Sequence, residues 1–241
     1  MSIPKPDGIE EHWLKINGVR VRFLAAGKGP PLVLIHGASA DARDWLKLMP
    51  GLARRFRVLA PDMAGFGLSY PRKPKYTMGM FADYLEAFLD REAPGPVNLA
   101  GHSLGGRLAL EIALRRPERL QRLVLINSVG VGKIGPGGGL VLSLFIGTRK
   151  ALRKPYPYPT FDESIEDPYL RIPERLPSVK TPTLLLWGAL DPYYPLSQGK
   201  QAQELIPGAR LVVIKGCGHS PCKEKPGEVL KQMLEFLAPS P

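Results

Sequence analysis

Val97-Asn98-Leu99-Ala100-Gly101-His102-Ser103-Leu104-Gly105-Gly106 joins a short apolar run to a helix-like one. After it, Leu108, Leu110, Ile112, Ala113 and Leu114 suit a helix buried in a core. A G-x-S-x-G sequence in a strand–turn–helix context reads as a nucleophile elbow, in which a tight, strained turn lifts the serine hydroxyl clear of the sheet. The flanking glycines let strand and helix approach each other, and the N–H groups that follow point toward the oxygen of an attacked carbonyl. The motif is common by chance, so its weight comes from the rest of the chain.

Outward from the elbow the same pattern repeats. His12 to Ile16 and Val19 to Ala25 alternate apolar and polar residues about Asn17-Gly18, a hairpin signal. Continuous apolar runs follow at Pro31–Ile35, Arg57–Pro61, Val97–Ala100, Leu123–Ile126, Thr183–Trp187 and Leu211–Ile214. Between them lie helix-like stretches at Ala42–Arg54, Thr77–Arg91, Gly106–Arg115, Ser197–Ile206 and Glu228–Leu237. Short buried strands alternating with helices predict an α/β fold, with a mostly parallel sheet covered on both faces. Such sheets bind ligands outside the carboxyl ends of their strands.

Residues 129–180 break the rhythm with a glycine-rich opening, the apolar run Leu140–Ile146, the basic group Arg149, Lys150, Arg153 and Lys154, and a Pro-Tyr repeat. A long insert at a strand's carboxyl end predicts a small lid over a site. The expected organisation is a core of residues 1–128 and 181–241 with a short cap insert at 129–180; a plain surface excursion is the alternative.

A serine hydroxyl needs a base to take its proton, and histidine is the usual one. Of the four histidines, His12 falls in the hairpin, His36 precedes Gly37 at a strand end, and His102 adjoins the serine and is expected to point away from it. His219 remains, in a glycine-rich loop after the last strand. Asp191, after the preceding strand, is the expected orienting anion, and the order Ser, Asp, His suits this type of site. Asp62 competes but reads as a turn former, and the strand after the elbow ends in Asn127 and Ser128, with no carboxylate. The Leu104 N–H is the first expected oxyanion donor and that of Ala38 the second, with a minor contact from Ser39. Phe66, Leu104, Leu140, Leu144, Phe145 and Trp187 are candidate pocket walls, and each reads equally well as core.

The chain has 241 residues, a formal charge of +11, 44% apolar residues and two cysteines. Its length suits one large domain. It has no apolar run of bilayer-spanning length and no secretory leader pattern, so a cytoplasmic protein without a membrane partner is expected. The basic residues cluster at predicted helix ends, and no recognition helix or aromatic–basic platform accompanies them, so nucleic acid is not an expected partner. Cys217 and Cys222 flank His219 but lack a fourth ligand, so no metal and no cofactor are expected.

Together, His36-Gly37, Asp62 to Ser69, Gly101 to Gly106, Trp187 to Asp191 with Pro195, and Gly218-His219 resemble the α/β-hydrolase fold superfamily over nearly the whole chain. That resemblance implies an eight-stranded sheet and a cap after the sixth strand. Serine at the elbow counts against its dehalogenase and epoxide hydrolase branches, which carry aspartate there. The leading expectation is a carboxylesterase acting on small-molecule esters, with Ser103 as nucleophile, His219 as base and Asp191 orienting it. Three alternatives stay open. One is a C–C bond hydrolase of ring-cleavage products, which would need a buried arginine such as Arg107. Another is an esterase of acyl chains on an acidic carrier protein, suggested by the basic lid group. The last is a non-hydrolytic receptor or scaffold on the same fold.

Overall fold

A computed structural model describes residues 6–38, 40–69, 75–153, 160–161 and 172–238, with the backbone alone described at 75, 160 and 161. The strands are β1 (Ile9–Ile16), β2 (Val19–Ala26), β3 (Pro31–Ile35), β4 (Arg57–Pro61), β5 (Lys75–Tyr76), β6 (Val97–His102), β7 (Leu120–Ile126), β8 (Thr160–Phe161), β9 (Thr183–Gly188) and β10 (Arg210–Ile214). The α-helices are α1 (Met49–Leu52), α2 (Met78–Glu92), α3 (Leu104–Arg115), α4 (Pro136–Ala151), α5 (Leu196–Leu205), α6 (Pro221–Glu224) and α7 (Pro226–Leu237).

Eight strands form one sheet in the order β1-β2-β4-β3-β6-β7-β9-β10. β1 and β2 pair antiparallel around Asn17 and Gly18, both with positive φ, and every pairing from β4 to β10 is parallel. This is the α/β architecture expected from the sequence. The central strands β6 and β9 are buried along their whole length, so they carry continuous apolar runs instead of alternation. Two apolar layers cover the sheet. One gathers Val33, Ile35, Leu99, Leu125 and Leu185 beneath α2 and α3; the other gathers Leu34, Ala100, Val124, Ile126 and Leu186 beneath Trp45, Met49 and α7.

The expected helix over 42–54 is instead a 3-10 turn at Ala42–Trp45 followed by the one-turn α1. Pro50 accounts for the break: it has no N–H to donate and its ring displaces the carbonyl four residues earlier. The apolar run in the insert becomes α4, and a two-residue parallel ladder joins β5 to β8. Lys154 and Ser39 lie outside the described residues.

The elbow is the tightest part of the fold. A Cβ on Gly101 would stand 2.2 Å from the Gly105 carbonyl oxygen, and one on Gly105 would stand 2.2 Å from that of Ile35. Strand β3, strand β6 and helix α3 therefore touch backbone to backbone. Gly105→Ala is expected to lower unfolding free energy by about 3 kcal/mol, the upper range for overpacking, as read from urea denaturation.

Candidate active site

Three strand ends deliver three side chains to one place. Ser103 follows β6 with φ 52 and ψ −115, a sparsely populated conformation for a residue with a Cβ. Backbone hydrogen bonds hold it there: its N–H donates to the Ile126 carbonyl at 2.9 Å, and its carbonyl accepts from Arg107 and Val129 at 3.2 Å each. Asp191 follows β9 and His219 follows β10. His219 Nε2 lies 3.1 Å from Ser103 Oγ, and its Nδ1 lies 2.8 Å from Asp191 Oδ2. Nδ1–H thus donates to the carboxylate, leaving Nε2 to accept from the hydroxyl, the tautomer a general base requires.

The Asp191 carboxylate is well supplied with donors. Oδ1 accepts the N–H groups of Tyr193 at 2.8 Å and Tyr194 at 3.1 Å, and Oδ2 also accepts from Asn127 Nδ2. Burial alone would raise the carboxyl, but the hydrogen bonds from His219, Asn127 and Tyr194 outweigh it and hold it below its ordinary value.

Asn127, where the sequence offers no acid, works as a brace. Its Oδ1 accepts from Gly188 N–H at 3.0 Å, while Nδ2 reaches Asp191 and the Gly218 carbonyl, tying the ends of β7, β9 and β10 together. Its φ of 43 lies in the left-handed region that asparagine tolerates better than most residues. Glu224 of α6 accepts from the N–H groups of Gly218 at 2.8 Å and Ser220 at 2.9 Å, gripping both sides of His219. Sequence reasoning missed these two braces. The polar residue at the strand end and the acid five positions past the histidine were the available signals.

His102 is also more involved than expected. Its Nε2–H donates to the His219 carbonyl at 2.7 Å, the two rings are 5.0 Å apart, and it lines the cavity. Burial, then the neighbouring His219, pushes its imidazole down to about 3. An unfolded histidine takes its proton near pH 6.5. The folded state therefore loses stability as the pH falls from about 6.5 toward 3 and keeps it above. Between about pH 6.5 and 5 this amounts to about 2 kcal/mol. Thermal unfolding across that window is expected to show a steeper fall for wild type than for His102→Gln; equal slopes would refute the assignment.

The cavity beside Ser103 has a volume of about 510 Å³, within the range for small-molecule sites. Ala38, Ile134, Val141, Leu142, Phe145, Tyr193 and Tyr194 form its walls. Phe145 and Ala38 line the cavity, and Leu104 opens α3, where its N–H has no intrahelical acceptor. Four other wall candidates are corrected. Leu140 and Leu144 lie on α4 but are 63% and 62% exposed, on the side away from Val141 and Phe145. Trp187 is fully buried behind the wall, where its Nε1–H donates to the Tyr194 carbonyl at 2.8 Å. Phe66 is buried against the His36 ring, 5.4 Å away.

The competing groups have structural partners. Asp62 accepts from Arg22 Nε at 2.8 Å, Ala42 N–H at 2.8 Å and Leu68 N–H at 2.7 Å, which fixes the turn after β4. His36 Nδ1–H donates to the Gly37 carbonyl and Nε2 accepts from Met63 N–H. Arg107 is fully buried and paired with Glu111 at 2.9 Å, and it does not line the cavity. The one cation on the cavity wall among the described residues is Lys223, 2.7 Å from Asp44. Among the described residues there is no metal-binding cluster and no helix long and apolar enough to cross a membrane.

A family model described as alpha/beta hydrolase fold matches residues 30–153 and 142–226. A 2-hydroxy-6-oxo-2,4-heptadienoate hydrolase of Pseudomonas putida is 30% identical over 258 residues, 92% of this chain and 94% of that protein. Among solved structures, a carboxylesterase of Bacillus subtilis superposes with a TM-score of 0.83 at 25% identity, covering 97% of this chain and 93% of its own. A meta-cleavage product hydrolase of Pseudomonas fluorescens gives 0.78 at 25% identity, covering 93% and 96%.

Proposed function

We propose, from the premise that the chain belongs to the alpha/beta hydrolase fold family, that it is a serine hydrolase of uncharged carboxylic esters. The observation that carries this reading is the bridge of His219 between Ser103 Oγ and Asp191. Ser103 attacks the ester carbonyl while His219 Nε2 takes its proton. The N–H groups of Leu104 and Ala38 receive the charge that develops on oxygen, each contributing about 3 kcal/mol. His219 then protonates the departing alcohol, and the acyl group remains on Ser103. A water, deprotonated by the same nitrogen, releases the acid. Asp191 keeps the imidazole oriented and stabilises its charged form throughout.

Cleavage of a C–C bond in ring-cleavage products is the second reading, and relatives that carry that activity by name favour it. Such a substrate brings a carboxylate that needs a cation. The candidate Arg107 is committed to Glu111 behind the elbow, and Lys223 is paired with Asp44, so the wall favours a neutral substrate. A panel of p-nitrophenyl esters of graded chain length, run beside a 2-hydroxy-6-oxo-dienoate, tests the choice. Turnover of esters with little of the dienoate is expected. The reverse ranking would replace esters with C–C bonds, and no turnover of either by wild type would favour a receptor.

A further inference from the structure

Helix α4 breaks the ordinary rule for apolar helices. A helix that is hydrophobic around most of its circumference is normally buried. Beyond its first turn α4 is almost wholly exposed: Gly138 is its one buried residue, and Leu140, Val141, Leu142, Leu144, Phe145 and Ile146 all carry open surface. The helix is fastened at one end, where Gly138 N–H meets the Pro192 carbonyl and a Cβ on Gly138 would strike Tyr193. From that anchor it runs past the cavity, with Val141, Leu142 and Phe145 facing inward. Helical spacing puts Leu140, Leu144, Gly147 and Ala151 in a smooth stripe on the far side.

The charge along the chain on either side of this helix, from 119 to 161, has one sign. Residues 119–161 contain no aspartate or glutamate, and Lys133, Lys150 and Arg153 are exposed before and at the end of α4. A second copy of the chain is a poor occupant, because a two-fold contact through α4 would set these cations against their own images. A protein partner is less well matched than a lipid surface, since protein hot spots favour Trp, Tyr and Arg and under-use leucine. Insertion into a lipid surface instead rewards aliphatic area and adds attraction between basic residues and anionic headgroups.

We propose that α4 seats the protein on an anionic lipid surface, with Leu140 and Leu144 inserted, Lys133, Lys150 and Arg153 among the headgroups, and the cavity mouth opening beside the membrane. This replaces the expectation of no membrane partner, which considered only spanning segments. The surface is independent of the esterase reading, because binding needs no turnover.

The test is co-sedimentation of the full chain with vesicles of ether-linked lipids, which an esterase cannot cleave. One set is pure phosphatidylcholine and the other contains a third phosphatidylglycerol. Wild type is expected to bind the anionic vesicles and release in high salt. Leu140→Ser with Leu144→Ser is expected to weaken binding at least about ten-fold, and Lys150→Ala or Arg153→Ala about five-fold each. Turnover of a soluble ester, or an unchanged thermal midpoint if no ester is cleaved, shows that the variants are folded. Equal binding to both vesicle sets, or full binding by the double leucine variant, overturns the proposal. So does absence of vesicle binding together with salt-sensitive, one-to-one binding of a small acidic carrier protein, which would assign the helix to that partner.

Discussion

Ser103→Ala is expected to lower kcat/KM for p-nitrophenyl butyrate by about 10⁵-fold or more, the scale on which removing a nucleophile from such a relay acts. In the proposed reaction the hydroxyl bonds to substrate carbon, with His219 Nε2 at 3.1 Å to take its proton. The strained backbone does not depend on Oγ: the N–H and carbonyl of residue 103 keep their bonds to Ile126, Arg107 and Val129. The thermal midpoint should therefore stay close to that of wild type. Steady-state kinetics and intact-mass spectrometry check it together, since wild type should show a transient acyl adduct and the variant none. Retention of more than about a hundredth of the activity would transfer the nucleophile's role elsewhere.

The second large effect is expected at Asp191. Asp191→Asn preserves shape but puts an N–H donor where the carboxylate now accepts, which turns His219 toward the wrong tautomer. A loss of about 10⁴-fold in kcat with little change in KM is expected. The substituted amide also faces Asn127 Nδ2 and His219 Nδ1, both donors to Oδ2, with one acceptor oxygen to share among them and the N–H groups of Tyr193 and Tyr194. Pre-steady-state kinetics with a p-nitrophenyl ester should show both acylation and deacylation slowed, since the same imidazole serves both. A drop confined to one half-reaction would contradict the assignment.

The sheet was readable because its strands are buried on both faces and so appear as unbroken apolar runs such as Leu184-Leu185-Leu186. The convergence of Ser103, Asp191 and His219 was readable for a related reason: in a parallel sheet such groups collect at strand ends, so position in the sequence stood in for position in space. With four histidines in the chain, elimination left His219 as the candidate base. The pocket wall was not readable in the same way. Leu140, Leu144 and Phe145 lie within six residues on one helix, yet Phe145 faces the cavity and the leucines face away. Periodicity shows which residues share a side of a helix, but not which side meets the site. Trp187 stayed open between wall and core because a large aromatic near Asp191 suits a wall as well as a support behind it, and the structure puts it behind. The braces from Asn127 and Glu224 were missed because a polar residue at a strand end and an acid just past the histidine read equally well as solvated groups, and residue type alone does not show that one reaches the Asp191 carboxylate and both reach loop backbone.

Ser103, Asp191 and His219 hang from the ends of β6, β9 and β10, and none belongs to the segment that carries α4. Heating should accordingly destroy turnover and the central sheet in a single event, with the residual-activity curve and the far-ultraviolet melting curve falling together. Loosening of the overlying helix at lower temperature would change which molecules enter without disabling the machinery beneath.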